Sequence, residues 1–474
     1  MRFIAKSEII KVTDKVEKEY LECWKIFKDL RSSNFNIDKL FSFQPKLANA
    51  IYKEEEIYYK ICEEEQYLIK NKNKYKIEWF KKRMKRLKEY KEFINKVISI
   101  GKCIGDGFIY VFYNKDMDLI KKHSKNPRVT HMAKGLGTKA ELTFINNTAV
   151  LNGCIVLYHG ICNFLNIGDI SLYSPQNSRI VAIGELKSRQ EENNILGISV
   201  DFISKINFTG DTILYAPNGK QSELKFNSEI KHHEGFPNFV IERLERQIKN
   251  MENMFSKDKQ EIKKLGDKKA MYYYKELEEI CKKSKSKGAC VEKVCNSLVI
   301  ACFINDNKKL SDHLSSNIKN KKNVETNFDL EEVNKIIIKE SKYNSIHLSE
   351  LPLICHYGNI PLAMWNLNIN LLKDIIFQRI SIFTIFNPAY LIQKLEKNGY
   401  IYKKQSDSSI SFSKKIDDKG IMELHNAEFH FHLISMSLMS EDEVLNLIQD
   451  SEDAFLSSKM NGNVKANFEI IQRG

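Results

Sequence analysis

The chain has 474 residues, and 74 Lys and Arg against 61 Asp and Glu give it a net charge of +13. That length supports a sizeable core and more than one domain. The basic excess suits a polyanionic partner, nucleic acid or an anionic surface, or reflects nothing more than a lysine-rich composition, while no apolar stretch approaches the roughly 20 residues of a membrane span.

The opening MRFIAKSEIIKVTDKVEKEY has no apolar core of signal-peptide length. The ten cysteines are scattered without a C-x-x-C pair, and Cys290 and Cys295 lack zinc-knuckle spacing. A reduced, cytoplasmic protein away from the membrane is expected.

Residues 1–100 read as helical. In KYKIEWFKKRMKRLKEYKEFINKVI, Phe80, Met84, Leu87, Lys91 and Ile94 recur three or four apart, so one face is mostly apolar. The rest is dense in Lys and Arg, either as a solvated face or as a wall for phosphates. Trp79 and Tyr90, interleaved with the bases, are candidates to stack on an unpaired base or to pack in a core.

Residues 101–236 change character and read as an α/β core. IGDGFIYVFYNKDMDLIKKH and GLGTKAELTFINN have helical patterning. Three strand-like runs follow, TAVLNGCIVLYHG, NFLNIGDISLYS and RIVAIGELKS, the last two separated by the turn signal SPQNS. Residues 237–287 read as a charged helical insertion, and 288–306 as a strand rejoining the core sheet. Residues 307–330 are polar and lysine-rich, as in a linker. Residues 331–474 read as a C-terminal α+β domain. There Asn387-Pro388 starts a helix that Gly399 ends, and YIYKK and SISFS form a hairpin, a winged-helix-like pattern. Ser440 and Glu443 make a capping box for the last helix.

The chemistry concentrates in the second and third strands. Residues two apart on a strand share a face, so Glu185 and Lys187 project together while Leu186 points the other way. The run Val181–Gly184 marks the strand as interior, where charge is rarely placed without purpose. Asp169 interrupts the preceding apolar run, and a hairpin would set it beside Glu185. Gly168 and Gly184 precede the two acids and permit close approach. Two carboxylates and a backbone carbonyl form a hard-oxygen set suited to Mg²⁺ or Mn²⁺. A neighbouring lysine would orient or deprotonate an attacking water.

Gly168-Asp169, fifteen residues, then Gly184-Glu185-Leu186-Lys187 on consecutive apolar strands resembles the PD-(D/E)xK nuclease superfamily. The resemblance covers roughly residues 130–210 and implies a restriction-endonuclease-like α-β-β-β-α-β core with large helical additions. It implies Asp169 and Glu185 as metal ligands and Lys187 as the third catalytic residue. Glu141, in the helix before the first strand, matches the acid that the family's first helix often offers. Gln190 matches a glutamine that follows the lysine in some branches. Gly168 stands where the family has proline. The implied activity is Mg²⁺-dependent hydrolysis of nucleic acid, DNA rather than RNA, as in restriction, repair or anti-phage enzymes, with a homodimer or regulatory partner open. A non-cutting nucleic-acid-binding module and a helical interaction protein are the alternatives.

His159, ending the first strand, is placed to contact phosphate or water. His425–His432 is histidine-dense, but its spacing fits no metalloprotease motif; His430, His432 and Glu428 would share a strand face. His232 and His233 lie in a polar turn. No P-loop, dinucleotide fingerprint or G-x-S-x-G elbow occurs.

Overall fold

The computed structural model describes residues 3–31, 37–114, 119–120, 131, 135–190, 196–204, 214–215, 271–305, 309–315, 346–351, 353, 360–404, 410–416, 420–424 and 427–457. The chain is a mixture of helix and antiparallel sheet. It divides into two compact units. One comprises Met1–Lys259, Asn307–Asn317 and Leu353–His356; the other comprises Gln260–Asp306, Ile318–Pro352 and Tyr357–Gly474.

The first unit opens with three long helices, α1 (Lys6–Arg31), α2 (Ile37–Lys70) and α3 (Ile77–Phe112). The two halves of α3 differ. Its first turns expose Lys81, Lys82, Lys85 and Arg86, whereas Val97–Tyr110 is buried on every side. A helix buried all round belongs in the middle of a core. The helix expected over residues 104–123 is present to Phe112, but as the continuation of α3. The boundary placed at residue 100 therefore falls inside one helix, and the helical and α/β regions form a single unit.

Glycine lets this half of α3 pack closely. A Cβ on Gly105 would lie 1.8 Å from the Ile161 carbonyl oxygen. Gly105 lets α3 touch the backbone of the short 3-10 turn at His159–Ile161.

α4 (Leu136–Asn147) follows, then β1 (Val150–Leu151), β2 (Cys154–Tyr158), β3 (Ile170–Ser174), β4 (Arg179–Gln190), β5 (Leu196–Ser204) and β6 (Leu214–Tyr215). All the pairings are antiparallel, in the order β5-β4-β3-β2-β1-β6. Asn152 and Gly153 join β1 to β2, both with positive φ, as a two-residue type I′ turn requires. β1 is too short to satisfy the whole edge of β2. The Gln44 side chain of α2 completes it: its amide donates to the Val156 carbonyl (2.7 Å) and its oxygen accepts the Tyr158 N–H (2.8 Å). Gln44→Leu removes both partners from buried backbone groups. It is expected to cost about 2–4 kcal/mol, read as a lowered urea midpoint with unchanged slope.

α6 (Asp312–Ser315) also belongs to this unit, in the segment expected as linker. Leu310 N–H donates to Glu17 at 2.9 Å, and Ser311 bonds Asp14. Residues 309–315 are thus anchored on α1, and 316–330 lie outside the described residues.

In the second unit, α5 (Tyr274–Lys287) packs on a sheet of β7 (Ala289–Lys293), β8 (Leu298–Ile304), β9 (His347–Glu350) and β10 (Ile380–Phe386), ordered β7-β8-β10-β9. Residues 288–306 were expected to rejoin the nuclease-like sheet. They form instead the β7–β8 hairpin of this separate sheet, in register with β10 from Leu298↔Phe386 to Ile304↔Ile380. An apolar run such as LVIACFI says that a strand is buried, but not which sheet buries it. α5, expected within an insertion, covers this hairpin; residues 237–270 lie outside the described residues.

α7 (Ile369–Ile376) is capped by Asn368, whose side chain accepts the N–H groups of Asn370 and Leu371. α8 (Ala389–Lys397) starts where Asn387 accepts the Ala389 N–H at 3.0 Å and ends at Gly399, φ +85°. The expected hairpin is β11 (Ile401–Lys404) with β12 (Ile410–Ile416), extended by β13 (Gly420–Leu424). α9 (Ala427–Ser437) and α10 (Glu441–Ser457) close the unit. Ser440 accepts the Glu443 N–H at 3.2 Å, half of the expected capping box. The spacing of the histidine-dense run predicts a strand. From Ala427 it is helix, so Glu428, His430 and His432 share no strand face. His430 is fully buried, and burial pushes its imidazole pKa down to about 4. His425 and the pair His232–His233 lie outside the described residues.

Candidate active site

Asp169 sits immediately before β3 rather than within it. Gly168 puts it there with φ +70°, and a Cβ at Gly168 would meet the Gly184 oxygen and Ile183 Cγ2 at 2.8 Å. Both constraints demand glycine. The Asp169 N–H donates to the Gly184 carbonyl at 2.8 Å, and Ile170 pairs with Gly184. The next position in that register brings Asp169 opposite Glu185. Asp169 Oδ2 accepts the Leu186 N–H at 2.7 Å, which fixes the carboxylate against β4.

Glu185 and Lys187 project together, Nζ to Oε1 2.9 Å, each side chain 16% exposed. Glu141 approaches from α4, where its Oε2 accepts the Tyr158 hydroxyl at 2.5 Å. Burial raises the Asp169 pKa well above the usual carboxylate range, and the charges of Glu185 and Glu141 raise it further. Burial and Glu185 act on Glu141 in the same direction, opposed by the Tyr158 hydroxyl and Lys102. Three acids therefore repel one another at the mouth of a buried strand pair. Such crowding is expected where acids are gathered for a task.

The donors fit a hard divalent cation. Oxygen is the ligand type that Mg²⁺ prefers, and a double charge would relieve the repulsion that the single charge of Lys187 leaves. Among the described residues no three His, Cys, Asp or Glu side chains converge as a ready-made ligand set. A cation here would draw on Asp169, Glu185, backbone carbonyl and water.

His159 lies behind the acids. It is 4% exposed, its Nδ1 is 3.0 Å from the Gly168 carbonyl and its Nε2 is 2.7 Å from Ser171 Oγ, itself 2.8 Å from the Tyr113 hydroxyl. A carbonyl only accepts, so Nδ1 carries the proton and Nε2 accepts from Ser171. The His159 N–H also donates to the Asp169 carbonyl at 2.9 Å. His159 thus grips the Gly168–Asp169 turn by backbone and ring. The spacing of the sequence suggested a phosphate or water contact; the geometry makes it a support. Gln190 ends β4, and its side chain lies outside the described residues.

Burial lowers the His159 pKa to about 4. A depressed histidine pKa gives stability that is full above the unfolded value near 6.5 and is lost as pH falls toward 4. The stability gap between wild type and His159→Ala is therefore expected to close over that window, by up to about 1.4 kcal/mol per pH unit. Paired urea titrations at pH 7, 6, 5 and 4 measure it.

Sequence spacing did not single out Tyr158, Lys102 or Asp106. Lys102 is fully buried in α3, where Glu55, Asp106 and Glu141 act on its ammonium. Asp106 accepts the Asn163 N–H (2.6 Å) and side-chain amide (2.8 Å). A signal existed: Lys102 and Asp106 stand four apart in the apolar run SIGKCIGDGF, on one face of a helix.

No family model, curated protein or solved structure matches this chain.

Proposed function

We propose that the first unit is a divalent-metal-dependent nuclease acting on DNA, with a restriction-endonuclease-like core. The carrying observation is the meeting of Asp169 and the Glu185–Lys187 pair at the junction of β3 and β4, with Glu141 bonded to Tyr158 beside them. In chain order α4, β2, β3 and β4 match the helix and three strands over which the superfamily distributes its helix acid, aspartate and Glu-x-Lys, although the two-residue β1 stands between α4 and β2, and the next described element after β4 is the antiparallel strand β5 rather than a helix. Restriction or phage defence is the setting such an enzyme fits. The α8–β11–β12–β13 arrangement of the second unit would suit a winged-helix-like nucleic-acid contact.

Asp169 and Glu185 would hold the cation. Bound there, it would acidify a water and stabilise charge on the phosphoryl oxygens. Lys187 would orient the water that forms the new P–O bond and offset the negative charge that develops on the phosphoryl and leaving oxygens as the old P–O bond breaks. Tyr158 holds Glu141 in place, and the Leu186 N–H holds Asp169.

The Glu185–Lys187 ion pair also favours a second reading, a structural ion network with no chemistry. The two readings diverge on metal. Plasmid, linear duplex, single-stranded DNA and RNA are incubated in Mg²⁺, Mn²⁺ or EDTA, and melting is followed in the same buffers. The nuclease reading expects metal-dependent cleavage, at least about a hundredfold weaker in Glu185→Ala and Lys187→Ala. It also expects a melting point raised by metal in the wild type. No cleavage and no metal-dependent shift would leave the ion network.

A further inference from the structure

We propose that the tip of the α2–α3 hairpin binds single-stranded nucleic acid, independently of the acid cluster. Residues 70–88 hold ten Lys and Arg against one acid, Glu78. Lys70, Lys72, Lys74, Lys76, Lys81 and Lys82 are all exposed. Among them stands an aromatic platform. Tyr75 and Trp79 stack with centroids 4.8 Å apart and planes at 23°, and Phe3 lies 5.7 Å from Trp79. Trp79 is 40% exposed and Phe3 37%.

The platform is built into the fold. Arg83 lies 5.9 Å from the Phe3 ring, and its guanidinium bonds both the Ile4 carbonyl (2.8 Å) and buried Glu64 (2.6 Å to Oε1). Glu64 in turn accepts the Ile4 N–H at 2.7 Å. The segment carrying Phe3 is thereby clamped to α2 and α3, so little ordering entropy would be lost when a ligand stacks on it. Rigid aromatic surface set in uncompensated positive charge is the chemistry that recognises unpaired bases joined by phosphates. A solvated helix face needs the lysines but not the exposed tryptophan. An anionic lipid surface would call for a continuous apolar face, whereas lysines alternate through positions 70–76.

The tip is also well removed from the acids. Trp79 and Gly105 are 26 positions apart on one helix, about 39 Å at 1.5 Å per residue. Gly105 touches the turn that carries His159. A strand held at the tip would be gripped well away from the point of cleavage.

The test is binding of labelled thirty-nucleotide oligo-dT, oligo-U and a duplex to the full chain in EDTA, read by anisotropy and by tryptophan fluorescence. The chain has three tryptophans. Trp24 and Trp365 are buried, so quenching on binding reports Trp79. Oligo-dT or oligo-U is expected to quench that fluorescence. Trp79→Ala should weaken binding about tenfold, and Trp79→Phe should retain most of it. Reversing Lys81, Lys82 and Lys85 to Glu should lower the salt slope by about two. Circular dichroism confirms that each variant is folded. Equal affinity of Trp79→Ala and wild type, or duplex bound as tightly as single strand, would overturn the proposal in favour of phosphate contact alone. A blue shift on phosphatidylserine vesicles without oligonucleotide binding would overturn it in favour of a lipid surface. Loss of cleavage in the metal assay would leave this result unaffected.

Discussion

Asp169→Asn is expected to abolish cleavage while making the metal-free protein more stable. Asparagine has nearly the same shape, and its side-chain oxygen can still accept the Leu186 N–H that Asp169 Oδ2 accepts at 2.7 Å. What disappears is a carboxylate that is desolvated and faces the charges of Glu185 and Glu141. An acid whose folded pKa is raised costs no stability below its unfolded value, near 3.9, and costs progressively more as pH rises toward the folded value. The substitution removes that cost. At pH 7 in EDTA a gain of about 1–3 kcal/mol is expected, shrinking to nothing as the pH approaches 4. Activity should fall at least a thousandfold, since the neutral amide neither binds a hard cation well nor restores the charge. Saturating Mg²⁺ should stabilise the wild type and leave the variant unmoved. Denaturant melts of both proteins, with and without Mg²⁺ at pH 4 and 7, measure each part. A variant less stable than wild type at pH 7 would show that Asp169 is held by attraction, as in a structural ion network. That opposition between stability and task is the signature of a working site.

The same residues show what the sequence made legible. The joint projection of Glu185 and Lys187 is legible from strand periodicity, and the nearness of Asp169 from one short turn, but the register is not: an irregularity between Leu172 and Tyr173 shifts β3 on β4 by one residue and brings Glu185, rather than Gly184, opposite Asp169. The caps at Asn387 and Ser440 were legible too, each being a contact within three residues. What stayed hidden depends on distant partners. Tyr158 holds Glu141 across two elements, and Gln44 completes β2 from more than a hundred residues away. In α9 aromatics alternate with polar residues through EFHFH, a strand-like pattern that packing against β10 overrides. The break expected at residue 100 follows a change of character, from lysine-rich to apolar, that marks where α3 enters the core rather than where it ends. Gly101 and Gly105 serve close packing there.

Gly105 is the clearest of these, and replacing it should destabilise the first unit more than any other change of comparable size. A Cβ there would lie 1.8 Å from the Ile161 carbonyl oxygen and 2.7 Å from its carbon, both backbone atoms of a buried turn. Relief would require α3 to withdraw by more than an ångström from a turn whose first residue, His159, grips Gly168 and Asp169. Gly105→Ala is therefore expected to cost about 3–5 kcal/mol, in the range reserved for overpacking that the fold cannot absorb. Two companions in the same unit set the scale. At Gly101 the new atom would meet the outer ring atoms of buried Tyr20 at 2.5 Å, so the cost depends on how far a side chain can turn and should be smaller. At Gly137, in α4, nothing lies within 4 Å, and alanine should stabilise by about 0.5–1 kcal/mol through helix propensity alone. The order Gly137→Ala, wild type, Gly101→Ala, Gly105→Ala, from most to least stable, is read by urea melts. Because the Gly105 contact reaches the His159 turn, the surviving folded fraction of Gly105→Ala should also lose cleavage and Mg²⁺-induced stabilisation, while Gly101→Ala keeps both. Full activity in folded Gly105→Ala would show that the turn positions Asp169 without help from α3.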